Sequence, residues 1–121
     1  LTRRDAERLG DILAAVDAIT AHTQRGELTD GLIFDAVRVR LIEIGEAIAA
    51  LSPELLSHEP TIPWPDIRAM RNHLAHRYFD TAHAIVAETI TTDLPPLVAA
   101  THRLLTLLET AEQDDITQPP H

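Results

Sequence analysis

Apolar residues in this chain recur in steps of three and four, without the strict alternation of a half-buried strand, and that periodicity restricts it to helices packed on helices. Leu9, Ile12, Leu13, Val16 and Ile19 lie on one face of a helix expected over about 4–23. Thr29 or Asp30 can cap a second helix, whose apolar seam is Ile33, Val37, Leu41, Ile44, Ile48 and Leu51. Gly45 interrupts that seam. A helical glycine costs about 1 kcal/mol relative to alanine, so close approach by a neighbouring backbone is expected there. Ser52-Pro53 is a helix-start signal, followed by a short turn over Pro53–Ser57 and a stiff connection containing Pro60, Pro63 and Pro65. Trp64, in that connection, is expected to plug the end of the bundle. Pro65 opens a third long helix, about 65–78, and a fourth begins near Thr81. Pro95 and Pro96 interrupt the fourth, which predicts a kink or a fresh start capped by Asp93. The reading is an all-α, up-and-down bundle of four to five helices over residues 1–111, with 112–121 a frayed, disordered tail.

Composition narrows the chemistry. The chain of 121 residues has no cysteine, which removes disulfides, thiolate metal sites and a cysteine nucleophile and fits a reducing, cytoplasmic setting. No apolar run approaches the roughly 20 residues of a membrane span, so no membrane partner is expected. Nineteen acids against ten bases, all arginine, give a net charge of −9. Such a body repels a polyanion as a whole, and a nucleic-acid role requires a local positive site.

One stretch meets that requirement. Between Ile67 and Phe79 lie Arg68, Arg71 and Arg77, together with His73 and His76, and no acid. On a helix turning about 100° per residue, Ile67, Met70, Leu74 and Tyr78 form a core stripe, while Arg68, Arg71, Asn72, Ala75 and His76 share another sector. Asn72 and His76 are i and i+4 neighbours, so the amide can orient the imidazole. Arg71 and His76 are roughly 140° apart by the same arithmetic, with only Ala75 between them, a spacing that permits convergence on one anion without forcing it. A neutral imidazole can take the proton of a ribose 2′-hydroxyl. A guanidinium can hold phosphate oxygens through two parallel bonds and stabilise the charge that grows on them. The pair is therefore suited to cleaving RNA without a metal or other cofactor.

Plainer readings of the same residues stand beside this one. An arginine and a histidine on one helix are most often surface decoration. His73 and His76, with Asp80 and His83 nearby, have spacing that suits a metal, although no third ligand is clearly placed. Tyr78 on the apolar stripe reads as a core tyrosine with its hydroxyl at the rim. Glu43 and Glu46 read as a solvated pair on the second helix.

Arg71, four residues, His76, one residue, Tyr78 is a spacing with a family resemblance. Its surroundings share it: Arg40-Leu-Ile-Glu-Ile-Gly-Glu-Ala-Ile48, Ile62-Pro-Trp-Pro-Asp-Ile67, Met70-Arg-Asn-His-Leu-Ala-His-Arg-Tyr78 and Asp93-Leu-Pro-Pro-Leu97. The sequence resembles HepT toxins, a branch of the HEPN superfamily of helical-bundle ribonucleases, over about residues 5–110. The resemblance implies a homodimeric, metal-independent ribonuclease, the toxin of a type VII-like toxin–antitoxin pair. It makes Arg71, Asn72 and His76 the catalytic set, with Arg68, Arg77 and His73 as further RNA-phosphate contacts. It makes Tyr78 the target of adenylylation by a partner minimal nucleotidyltransferase antitoxin. With so acidic a body, a structured RNA such as tRNA is the expected substrate. The alternative is a non-catalytic HEPN nucleotide-binding module that assists a nucleotidyltransferase.

Overall fold

The computed structural model describes the backbone of residues 3–76 and 79–117, and the side chains of 4–74 and 83–113. All regular structure among these residues is helical: α1 (Arg3–Arg25), α2 (Gly31–Ala49), α3 (Pro53–Leu56), α4 (Trp64–His76), α5 (Phe79–Glu88) and α6 (Leu94–Thr117), with a π-helical turn, Thr89–Asp93, joining the last two. None of these helices is long and apolar enough to cross a membrane.

The expected periodicity builds the core. Leu9, Ile12 and Ile19 of α1 meet Val37, Leu41, Ile44 and Ile48 of α2, all at most 2% exposed. The short link 26–30 turns α2 back along α1, and α2 in turn packs on α4 while α6 covers α1. Asp30 caps α2, its carboxylate accepting from the Leu32 amide at 2.9 Å. Of the two expected caps, this is the one used, and it satisfies an N–H that the first helical turn leaves without a partner.

Two polar clasps close the connection between α2 and α4. Asp5, 3% exposed, accepts from the Ser52 amide at 3.2 Å and from its hydroxyl at 3.0 Å, tying the start of α1 to the start of α3. The indole N–H of Trp64 is shared between the carbonyls of Glu59 at 3.0 Å and Leu56 at 3.2 Å. Trp64 therefore does seal this end of the core, at 8% exposure, and its one polar atom is satisfied there. Glu59 also accepts a forked bond from Arg103 of α6, with Nη2 to Oε1 at 2.6 Å and Nε to both oxygens at 3.1 Å.

Of the two outcomes expected at Pro95 and Pro96, a fresh start capped by Asp93 is not found: helix continues from α5 through the π turn into α6, a disturbance without a break. The Leu94 amide donates to the Thr89 carbonyl, a five-residue step that widens the turn at the point where two prolines remove donors and crowd the preceding carbonyls. Thr89 and Thr91 hydroxyls bond back to the carbonyls of Ile85 at 2.7 Å and Ala87 at 3.1 Å. Residues 112–117, read from the sequence as part of a frayed tail, prolong α6. Loss of apolar residues marks where a helix leaves the core, whereas Ala111, Glu112 and Gln113 still favour helix. Residues 118–121 lie outside the described set.

Candidate active site

The motif helix α4 is held by its inner stripe. Ile67 is 6%, Met70 5% and Leu74 0% exposed, as the periodicity predicts; Tyr78, the fourth member, lies outside the described residues. Gly45 explains how closely α4 lies on α2. A Cβ at that position would sit 3.4 Å from the carbonyl oxygens of both Ile67 and Arg68 and 3.7 Å from the Arg71 amide. The glycine thus admits the motif backbone itself, as its place in the apolar seam suggested.

With the inner stripe buried, the opposite sector faces solvent: Arg68, Arg71, Asn72 and His73 are all exposed. Arg71 has a partner that sequence spacing did not reveal. Its Nε lies 3.4 Å from Oε1 of Glu46 on α2, with the two side chains 61% and 51% exposed. Glu43, read as Glu46's companion, is instead engaged by Arg40, whose Nη1 donates to Oε2 at 3.1 Å and Oε1 at 3.2 Å. The two acids are not a solvated pair but two separate counter-ions. Only the packing of α2 on α4 brings Glu46 to Arg71, two positions 25 residues apart in the chain.

The two flanks of α4 differ in sign. His73 borders a groove of about 440 Å³ that also contains Asp66 of α4, Glu88 of α5 and Asp93 of the π turn. Burial first, and then the carboxylates of Glu88 and Asp66, push the Asp93 carboxyl above its ordinary range. Phosphate is disfavoured on this side, so His73, expected among the RNA-phosphate contacts, stands in surroundings that suit cations. Arg68 and Arg71 project from the other side. A second groove, about 520 Å³, runs between α1 and α2 past Arg8, Asp11, Arg40 and Glu43 as far as Glu46, the partner of Arg71.

The helical backbone of α4 carries Asn72 and His76 one turn apart, four residues being just over a turn. The His76 side chain, Arg77 and Tyr78 lie outside the described residues, as does Asp80. Among the described residues, no group of three His, Asp or Glu side chains is placed to hold a metal ion. His83, the other member of the metal alternative, stacks on Phe34 of α2 with ring centroids 5.9 Å apart and planes 13° from parallel.

Fold and site together define an all-α bundle that exposes one arginine-bearing helix face on an acidic body. The chain belongs to the family described as Ribonuclease HepT-like, whose model matches residues 9–104. It is similar to a candidate RNase of Methanocaldococcus jannaschii, 26% identical over 121 residues that cover 96% of this chain and all of that protein. A protein of Thermococcus cleftensis described as a probable ribonuclease HepT is 29% identical over 80% of this chain and 92% of its own length. A candidate RNase of Caldanaerobacter subterraneus is 40% identical over a shorter stretch, 49% of this chain and 54% of that protein. No solved structure matches the chain.

Proposed function

We propose that this protein is a metal-independent ribonuclease that acts as the toxin of a type VII-like toxin–antitoxin pair. The single observation that carries the reading is the solvent-facing Arg68-Arg71-Asn72 sector of α4, set within a match to the HepT-like ribonuclease family. In this reaction His76, as a neutral imidazole, accepts the proton of a ribose 2′-hydroxyl. The freed oxygen attacks the adjacent phosphorus and the 5′-oxygen of the next nucleotide departs, taking a proton from a general acid or water. Arg71 holds the non-bridging oxygens as their charge rises, Asn72 orients the imidazole, and Arg68 and Arg77 extend the positive track along the strand.

The reading includes a homodimer with two copies of α4 along one cleft. Pairing doubles the local arginine count and focuses a positive field on an otherwise acidic body. It also lets Arg71 and His76 reach one phosphate from different subunits, so their angular offset matters less. Adenylylation of Tyr78 by a minimal nucleotidyltransferase antitoxin would place an anionic phosphate and a bulky nucleoside about two turns from Arg71. That phosphate competes for the guanidinium RNA requires. A structured RNA such as tRNA is the substrate class that fits a mainly repulsive surface.

The test is RNA cleavage by the purified chain with and without a chelator, beside His76→Ala and Tyr78→Phe. The reading requires cleavage that survives the chelator and disappears in His76→Ala, and a Tyr78→Phe protein that stays active but resists the antitoxin. Cleavage by neither the wild type nor His76→Ala favours instead a non-catalytic nucleotide-binding module.

A further inference from the structure

Phe34 and Arg38 stand one turn apart on α2, and each reaches a different flank of the segment that ends the motif. Phe34, 3% exposed, stacks on His83 of α5. Arg38 extends to α4, where its Nη1 donates to the main-chain carbonyl of Leu74 at 3.2 Å. Its Nη2 lies 3.7 Å from Oδ1 of Asp35, and its Nε is buried with no hydrogen-bond partner among the described residues. Leu74 is fully buried and precedes His76 by two residues, within the same turn of α4.

We propose that Arg38 is a positioning residue for the ribonuclease reaction: by holding the Leu74 carbonyl it fixes the last turn of α4, and with it His76, at a set offset from Arg71. The inference rests on the ribonuclease reading given above. A carbonyl oxygen has two lone pairs, so it can accept from Arg38 whatever its helical bond, and a charged donor strengthens that contact. General-base catalysis depends steeply on placement, and a misplacement of about 1 Å can cost about 100-fold in rate. Arg38 itself is not presented to substrate in the way Arg71 is. One of its nitrogens serves a main-chain acceptor, a second faces Asp35, and the third is enclosed. A buried donor left without a partner lowers stability, so Arg38 is poorly explained as a device for stability alone. Phe34 gives α2 a second point of hold, on α5 at His83.

The experiment compares the full chain with Arg38→Met, which keeps the stem and removes the fork, and with Arg38→Lys. The expected result is a 10- to 100-fold fall in kcat for Arg38→Met, with KM within about twofold and an unchanged salt dependence of KM. Its Tm should equal or exceed that of the wild type, and Arg38→Lys should recover part of kcat because an ammonium can still reach one carbonyl. A raised KM with a weaker salt dependence would make Arg38 a phosphate contact, and the proposal would be wrong. Parallel losses of Tm and kcat, with no rescue by lysine, would reduce Arg38 to a structural residue and equally overturn it. Should the wild type cleave no RNA, the functional reading fails by itself. Hydrogen exchange over 74–82 then decides the anchoring separately: faster exchange in Arg38→Met upholds it, and unchanged exchange refutes it.

Discussion

Arg71 illustrates how a single side chain can be both exposed and committed. Its guanidinium lies beside Glu46, yet a pair this exposed is worth about 0–1 kcal/mol and is screened by salt. Phosphate, with a denser negative charge and a bidentate fit, can displace or share the carboxylate. Glu46→Gln is therefore expected to lower KM for RNA several-fold at low salt, with the difference fading at high salt, while Tm shifts by no more than a degree or two. Steady-state kinetics across a salt series checks this. Arg71→Lys is expected to lower kcat/KM by about 100-fold or more, because an ammonium cannot reproduce the two-pronged contact on developing charge. The candidate set itself was legible as residue types at helical spacing. The residues that tune it, Glu46 and Arg38, were not, since they lie on α2 and meet α4 only through packing.

At the scale of elements, α2 is the template on which the motif helix rests. Gly45 is the hinge of that contact, and its meaning was readable from sequence because an apolar seam rarely tolerates glycine without a close neighbour. Gly45→Val adds a Cβ at ordinary contact from two carbonyl oxygens and two methyl groups beyond it, which crowd a backbone already at contact distance. Overpacking of this kind costs about 1–3 kcal/mol, and it is relieved by moving α4 outward. A reduced Tm and a kcat that falls further than global stability explains are the expected outcomes, measured by thermal unfolding and RNA cleavage. The π turn between α5 and α6 shows the opposite case. Two adjacent prolines announce a disturbance, but whether a helix breaks or widens depends on the groups nearby. Here Thr89 and Thr91 occupy carbonyls within their own helix, and Leu94 bonds one residue further back than usual. Sequence patterns count donors; they do not reveal such local exchanges.

Across the whole molecule, acidity acts in two opposed ways. Glu59 is held below the usual carboxylate range, chiefly by its hydrogen bonds from Arg103. A lowered folded-state value means that this clasp stabilises the protein above the ordinary 4.5 and is lost as pH falls through the lowered value. Asp93 behaves in reverse. Its raised carboxyl favours the folded state below the ordinary 3.8 and withdraws that favour as pH rises through the raised value. Asp93→Asn is thus expected to raise Tm at pH 7 and to change it little near pH 3, a difference that thermal melts at the two pH values will show. Arg103→Ala should have its largest effect at neutral pH and its smallest in acid. Under the ribonuclease reading, the same acidic groove that raises the Asp93 carboxyl disfavours an approach of RNA from that flank of α4.

Helical periodicity, the absence of cysteine, a cap for α2 at Thr29 or Asp30 and the glycine in the α2 seam were decided by the sequence alone. Each is a local rule about backbone geometry, burial or composition, so neighbours along the chain suffice to read it. The 3.4 Å meeting of Arg71 with Glu46, the bond from Arg38 to the Leu74 carbonyl and the acidic flank around His73 were decided by tertiary structure. They join residues on separate helices, and such distances are set by how whole helices cross and pack, which no spacing within one helix encodes.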